Sequence, residues 1–563
     1  MFNIILIHNH NIYIYFKNYQ KLKFYLNLKP IVIIQARQSS KRLPNKVILP
    51  INYISIIEII YRRVFSKHYK TVVAISIDKS DDLLCSLLKS KKIPYYRGSL
   101  INVKSRFLDI CKDYSDQKLV VRLTADNIFP DKHLINEMIN YFFKNKKKYL
   151  HINQNSKKVP YGLSVELFKL SEIRKLKNRN KKDIEHVTYS IDKENNEFPI
   201  DTKFDFEKKA SIDEIDDYFL ISNFFNLKKI SVVLRWNDLI KNFYQFCKSS
   251  KSSKFFYEDR TSRIVIGTAQ IGNLYGVSNY KKINQKDIKK ISNFMNLSGI
   301  GNIDTARDYP NSEKLIGKYF SKNNKLKIYT KISNKVNLLK NEKKINKSLL
   351  DSIKKSLIKL KIENIECLYI HNMSQDKCLN LKILKILKRI KKNYNIKSIG
   401  ISITNLSDID EILDTKIKNY IDIVQVPQNI LDNRILKTKL NSFKKNKIEI
   451  IIRSIFLQGL IFVDDVSKWP NNLKKFHKAF FKKSEFIKKK LGCLSILELA
   501  IMYVYSKNPK SKMIIGINSF SHLTEIYSLL FKKKFNINEL KFIEKQFKLL
   551  NQKELLSNPT LWS

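Results

Sequence analysis

Short, almost uninterrupted apolar runs alternate with amphipathic stretches of helical period along most of this chain. In the first part the runs Ile31–Ala36, Thr71–Asp78 and Leu119–Ala125 carry apolar residues on both faces, the pattern of strands buried in a parallel sheet. Further on, eight such runs recur: Arg263–Thr268, Gly301–Ala306, Lys327–Ile332, Cys367–His371, Ser398–Ser402, Ile421–Val426, Glu449–Ser454 and Lys512–Ile517. Helical stretches separate them, so both parts read as α/β. Eight strand–helix units in roughly 270 residues are what a (β/α)8, or TIM, barrel requires, and there reactive side chains belong at the C-terminal strand ends. Between the two parts, Cys247-Lys-Ser-Ser-Lys-Ser-Ser-Lys254 offers small polar residues that add nothing to a core. The expected organisation is an extension at 1–29, a first domain at 30–245, a linker at 246–260, a barrel at 261–540 and a C-terminal tail at 541–563.

Composition changes this picture little. A chain of 563 residues exceeds one compact domain. The formal net charge of +55 suggests a polyanionic partner. The lysines, however, are spread along the whole chain among Asn and Ile, with no basic arm or Arg-rich stripe. Gly and Pro number only 12 each, against average usage of roughly 7% and 5%. An AT-biased genome accounts for both facts, and no nucleic-acid partner is expected. The six cysteines form no CxxC pair, which fits reduced thiols in a cytoplasmic protein. No apolar run is long enough to span a membrane, so no membrane insertion is expected. Residues 1–29 are aromatic and Lys-rich, without the apolar core and small-residue cleavage site of a signal peptide. They read as a poorly ordered extension or the product of an upstream start codon. A homodimer is an allowed assembly that nothing in the sequence demands.

Four residues with complementary chemistry fall at the ends of consecutive barrel strands: Asp304 and Tyr309 after the second, Lys331 at the third and His371 at the fourth. Each alone has an ordinary reading as a cap, a loop aromatic, one lysine among many or a strand-end histidine. Around one barrel mouth they make an acid catalyst. A Tyr hydroxyl with pKa near 10 is a poor proton donor at neutrality. A neighbouring ammonium lowers that value, and a carboxylate keeps the ammonium charged. An imidazole beside them can hydrogen-bond a carbonyl oxygen.

Arg263-Ile-Val-Ile-Gly-Thr-Ala-Gln270, with Tyr275-Gly276, resembles the opening strand of the aldo/keto reductases. Ile303-Asp-Thr-Ala-Arg-Asp-Tyr309 with Asn311-Ser-Glu313 is similar to that family's Asp-Thr-Ala-x-x-Tyr-Gly-x-Ser-Glu motif, with Pro310 in place of Gly. Thr330-Lys331 and Ile370-His371 complete the tetrad. The resemblance covers roughly residues 263–530 and implies NADPH or NADH as cofactor. It places Ser402, Asn405, Gln425, Asn429, Arg453 and Ser454 at the nicotinamide half. Gly516, Ser519, His522 and Glu525 would meet the adenine end, where NADP-preferring relatives carry basic residues. Asn518, Ser519 and His522 stand there instead, which leaves the choice of cofactor open.

In the first part the opening strand runs into Gln35-Ala-Arg-Gln-Ser-Ser-Lys-Arg-Leu-Pro-Asn-Lys46. A loop at that place in an open α/β sheet is where nucleotides bind. Arg37, Arg42 and Lys46 are able to clamp a triphosphate, with Ser40 adding a hydrogen bond. A solvated basic loop is the ordinary alternative, but Arg is scarce here beside Lys. The stretch resembles the nucleotide loop of cytidylyltransferases of the spore-coat polysaccharide and acylneuraminate type, whose pattern is Gln-Ala-Arg-x-Gly-Ser-x-Arg-Leu-Pro-x-Lys. Tyr96-Arg-Gly-Ser99, Val121-Arg-Leu-Thr-Ala-Asp-Asn127, Pro160-Tyr-Gly-Leu163 with Glu166, Glu185-His-Val-Thr188 and Asp213-x-x-x-Asp217-Tyr218 add to it.

That resemblance spans about residues 30–235 and implies an open Rossmann-like nucleotidyltransferase sheet. It further implies CTP as substrate, with Mg²⁺ held by Asp126 and Asp213. Ala36, Arg37, Ser40, Arg42, Lys46, Arg97 and Arg122 would bind the nucleotide or a sugar carboxylate. Glu166 and His186 would face the acceptor, an ordinary structural role being open for both. Ser39, Asn45 and Ala125 replace family glycines. The expectation is a bifunctional enzyme acting on small molecules, CTP, a sugar acid and a carbonyl sugar. The alternative is a reductase whose first domain only binds nucleotide or sugar.

Overall fold

The computed structural model describes residues 29–563 apart from 177–180, 201, 250–257, 278–281, 322, 324, 434–436 and 552–553. The expected extension, save its last residue, and the middle of the expected linker lie outside these. The chain divides into two compact units, 1–253 and 254–563.

In the first unit the strands are β1 (Ile31–Gln35), β2 (Lys70–Ser76), β3 (Tyr95–Gly98), β4 (Leu119–Thr124), β5 (Tyr149–His151) and β6 (Glu166–Lys169). The three apolar runs read from sequence are β1, β2 and β4. Their apolar faces are buried by neighbours on both sides, and Ile31 to Ile34 are fully excluded from solvent. Spatial order is β3-β2-β1-β4-β6-β5. The first four pair in parallel, and β6 runs antiparallel to both β4 and β5. The sheet is therefore open and mixed. Strands β3, β5 and β6 are short and carry Arg97, His151 and Glu166, so no apolar run announced them. Because β1 lies between β2 and β4, the chain leaves their carboxyl ends in opposite directions and opens a crevice there.

The segment 210–213 lies across the end of β4. Ser211 bridges to Asn127, and Ile212 N–H donates to the Asp126 carbonyl at 2.9 Å. Gly162, at φ +106°, lets this segment approach, since a Cβ there would stand 2.4 Å from the Ser211 nitrogen. That contact carries Asp213 to the crevice.

In the second unit β7 (Ile264–Gly267), β8 (Asn302–Asp304), β9 (Lys327–Lys331), β10 (Ile365–Ile370), β11 (Ile396–Ser402), β12 (Ile423–Pro427), β13 (Glu449–Arg453) and β14 (Lys512–Gly516) form a closed barrel. Every pairing is parallel, and β14 closes on β7. All eight expected strands are present. Inside, the buried rings of Tyr329 and Tyr369 stack at 6.5 Å.

Gly400 serves this filling and not the mouth. A Cβ there would meet the Tyr369 ring at 2.4 Å and the Ile423 carbonyl oxygen at 2.8 Å. Gly400→Ala is expected to cost about 1–3 kcal/mol through overpacking. Denaturant unfolding of the second unit would register it, and an unchanged midpoint would contradict this account of the core.

Near the end of the chain lie the helix Ile537–Asn551 and the short turns Glu554–Ser557 and Pro559–Leu561. Asn472 Nδ2 donates to the Leu561 carbonyl at 2.8 Å, and Trp562 Nε1 donates to that of Leu555 at 2.9 Å.

Candidate functional site

The second unit delivers Asp304, Lys331 and Arg453 as the last residues of β8, β9 and β13, with His371 directly after β10. All four line one cavity of about 370 Å³ at the barrel mouth, together with Tyr309 from the loop after β8. Lys331 donates to the Asp304 carboxylate and, at 2.8 Å, to the Thr305 carbonyl. Gln425 Nε2 donates to the second Asp304 oxygen at 2.5 Å. The His371 ring meets Tyr309 edge-on, 5.9 Å between centroids.

The electrostatics differ from the sequence expectation in one respect. Burial raises the Tyr309 hydroxyl above its ordinary value, the Asp304 and Asp308 carboxylates add to this, and Arg453 opposes it. Lys331 is lowered by its own burial, with Asp304 pulling the other way. Its ammonium is committed to Asp304 and stands 5.7 Å from the Tyr309 ring centroid. Burial thus keeps the Tyr309 proton in place near neutral pH.

Of the residues expected at the cofactor, Ser402, Gln425, Arg453, Ser454, Gly516 and His522 line the cavity. Asn405 is instead an exposed helix cap in a capping box with Asp408. Asn429 is buried behind the wall, donating at 3.0 Å to the carbonyl of Ser454, whose φ is +59°. Ser519 caps the helix Phe520–Leu529, its hydroxyl accepting from His522 N–H. Glu525 lies on that helix, pushed up to about 7 by burial and by Glu498.

Sequence reading missed Gln458, Phe462 and Asn558, which also line the cavity. Only folding brings those loops over the mouth. Two buried atoms in the wall, Gln425 Oε1 and Arg453 Nε, have no hydrogen-bond partner among the described residues. Such atoms are costly unless a ligand meets them. They fit an amide- and phosphate-bearing cofactor.

In the crevice of the first unit Lys46 is central. Its ammonium reaches Asp126 Oδ2 and the Ile212 carbonyl, both at 2.8 Å, and Asp213 Oδ1 at 3.7 Å. Arg42 donates to Asp213 Oδ1 at 2.7 Å. Burial works to raise Asp126, but Lys46 outweighs it and holds the carboxyl below its ordinary value. Lys209 joins through Asp217 at 2.8 Å and Asp213 at 3.8 Å. It was missed because one more lysine carries no signal in this composition.

Asn45 and Ser39 stand at two of the loop positions where the resemblance gives glycine. Asn45 holds φ +61°, a left-handed conformation Asn tolerates, while Ser39 is not left-handed. Gln38 ties the loop down, with N–H to Asp81 at 2.7 Å and Nε2 to Asn45 at 3.0 Å.

Other expected residues lie apart from this cluster. Ala36 is buried, its N–H donating to the Ala74 carbonyl. Ser40 Oγ accepts from Leu43 N–H at 3.4 Å. Arg37 pairs with Glu185 at 3.6 Å. Arg97 is occupied by the Ser76 and Asp78 carbonyls and by Asp82 at 2.7 Å. Arg122 pairs with Glu166 at 2.5 Å, and Tyr149 and Thr188 donate to the same carboxylate. Its charge is thereby spent inside the protein. His186 is exposed and touches Tyr189.

Asp126 and Asp213 share one ammonium, so their oxygens converge. Two hard donors are what Mg²⁺ takes from a protein when phosphates supply the rest. No group of three such side chains exists among the described residues.

A parallel barrel with Asp, Lys, Tyr and His at its carboxyl mouth defines a carbonyl-reducing enzyme class, and a basic loop at a sheet switch point defines a nucleotide-binding one. Residues 263–546 match the aldo/keto reductase family and residues 31–262 the cytidylyltransferase family. The chain belongs to the aldo/keto reductases, with an SpsF-like cytidylyltransferase unit fused ahead of the barrel. Both are enzyme families. The first uses a reduced nicotinamide dinucleotide, and CTP is implied for the second.

An uncharacterized protein of Methanocaldococcus jannaschii is 36% identical over 31% of this chain and 71% of its own. The spore coat polysaccharide biosynthesis protein SpsF of Bacillus subtilis is 30% identical over 29% of this chain and 69% of its own. The solved glycerol dehydrogenase of Gluconobacter oxydans is 19% identical, covering 51% of this chain and 91% of that one at TM-score 0.40. No helix among the described residues is long and apolar enough to cross a membrane.

Proposed function

We propose that the chain makes a precursor of a surface polysaccharide in two chemistries. The first unit transfers a cytidylyl group from CTP to a sugar acid, and the barrel reduces a carbonyl of a related sugar. The observation that carries this reading is the meeting of Lys46, Asp126 and Asp213 at the crevice. It supplies cation and carboxylate together in a fold where nucleotides bind. The name of the Bacillus relative supports the polysaccharide setting.

In the first unit Arg42, Lys46 and Lys209 provide positive charge for a triphosphate. Bound phosphates compete with Asp126 and Asp213 for these cations and free carboxylate oxygens, which would then hold Mg²⁺. In the barrel Tyr309 holds the proton that the carbonyl oxygen receives, and His371 orients that oxygen. Gln425, Arg453 and Ser402 would hold the nicotinamide half, and when bound the cofactor supplies hydride to the carbonyl carbon. Binding a carbonyl and displacing water strengthens the pull of Lys331 on the Tyr309 oxygen.

The test is pyrophosphate release by the whole protein with Mg²⁺, each nucleoside triphosphate, and a panel of keto-deoxy and nonulosonic sugar acids. Release with CTP and one sugar acid supports the transferase. No release with any pair, in protein that still oxidises the reduced cofactor with a carbonyl compound, would leave the first unit as a binding module.

The adenine end favours NADH. The segment 516–525 holds no Lys or Arg. His522, buried beside Phe456 and Phe462, is pushed down to about 4 and is uncharged at neutral pH. An extra phosphate finds no counter-charge in this segment. NADH is expected to bind roughly tenfold or more tighter than NADPH, since a hydrogen bond to a charged group contributes about 1.5–3 kcal/mol. Titration calorimetry with both dinucleotides checks this, and equal affinities would refute it.

A further inference from the structure

Asp308 immediately precedes Tyr309 and has no part in the tetrad expected from sequence. Its carboxylate is fixed from behind, accepting the Asn334 N–H at 2.8 Å. From the front it faces His371, with Asp308 Oδ2 3.5 Å from His371 Nδ1. That buried nitrogen has no hydrogen-bond partner of good geometry among the described residues, and the Asp308 carboxylate is the group that faces it. The ring lines the cavity with its side chain 17% exposed, so Nε2 is the nitrogen left for a ligand.

We infer that Asp308 is a positioning residue that claims the Nδ1 proton of His371, so that the neutral ring offers the cavity an acceptor at Nε2. The inference rests on the barrel being a carbonyl reductase. With the Nδ1 proton toward Asp308, neutral His371 accepts from a hydroxyl, as a sugar presents beside its carbonyl. Only as the imidazolium does it donate an N–H to the carbonyl oxygen. Reduction adds hydride to carbon and a proton to oxygen, so the charged ring assists reduction and the neutral ring assists oxidation of the alcohol.

The charged and titratable groups around His371 are Asp308, Tyr309, Asp304 and Lys331. Burial lowers the affinity of His371 for a second proton and Lys331 lowers it further, whereas Asp308 and Asp304 raise it. Burial works to raise Asp308 itself, but the neighbouring His371, Asn334 N–H and Ser333 outweigh that and hold it at about 2. Asp308 is therefore an anion near neutral pH. Removing its charge weakens proton binding by His371, and the alkaline fall of the reduction rate moves to lower pH.

Side-chain ¹⁵N spectra of the whole protein, with His371→Gln identifying the signal among nine histidines, read the tautomer directly. Wild type is expected to carry its neutral-ring proton on Nδ1. Asp308→Asn is expected to bind the second proton about tenfold more weakly, the lower end of what an opposite charge at this distance does. Its reduction profile should shift in the same direction, with dinucleotide affinity unchanged. A wild-type ring protonated on Nε2, or proton binding equal in both proteins, would overturn the inference. The wild-type spectrum decides even if the variant fails to fold. A wild-type protein that reduces no carbonyl compound, yet shows the Nδ1 proton, would refute the reductase reading and leave Asp308 as assigned.

Discussion

Tyr309→Phe is expected to slow carbonyl reduction by about 10²–10⁴-fold, the usual contribution of a positioned general acid, while the dinucleotide binds as before. Tyr309 lies at the barrel mouth beside His371, and its hydroxyl is a neutral donor in a cavity that also holds Asp304, Lys331, Arg453 and a second tyrosine, Tyr275. Arg453 carries no proton it can give up at neutral pH. Lys331 is buried and spent on Asp304 and the Thr305 carbonyl. Among the described residues none bonds the Tyr309 hydroxyl, so the ring is expected to stay in place without it. Stopped-flow reduction and dinucleotide titration on the same preparation separate chemistry from binding. Near-normal turnover in the variant would remove Tyr309 from the mechanism.

Asp126→Asn is expected to lower CTP-dependent pyrophosphate release by about a hundredfold or more, the scale of one preorganised electrostatic contact at a reacting group. Carbonyl reduction should be untouched. Asp126 is the carboxylate closest to Lys46, and that ammonium holds it ionised against its burial. Asparagine keeps the shape, loses the charge, and binds a divalent cation poorly. Arg97→Gln makes the contrast. Its guanidinium is occupied by Ser76, Asp78 and Asp82, so the variant should retain most transferase activity. Equal loss in both variants would mean that the site extends to β3, or that the unit fails as a fold.

The barrel was more legible in the sequence than the open sheet. Most barrel strands are buried on both faces and so appear as apolar runs, and chain order alone gives the neighbours of a closed ring. The tetrad was readable for the same reason, since strand ends in a barrel all open at one mouth. In the open sheet chain order misleads. Strand β4 pairs with β1, and β6 returns antiparallel between β4 and β5. Arg97 and Arg122 looked equivalent to Arg42 as cations near motif segments. The fold gave Arg122 to Glu166, its register partner across β4 and β6, and Arg97 to its own loop.

What the sequence determined by itself, then, was the pair of α/β units, the eight barrel strands and the identity of the mouth residues. These follow from local patterns, because burial on both faces and strand-end position are written into neighbouring residues. Tertiary structure alone decided the pairings. Asp213 reaches Asp126 because Gly162 admits the segment 210–213 to the end of β4. Lys46 joins residues 80 and 167 positions further along the chain. His371 finds Asp308 only because β8 and β10 flank β9 in one ring. Which charge meets which depends on contacts between distant segments, and no local pattern of residues encodes a distance across the fold.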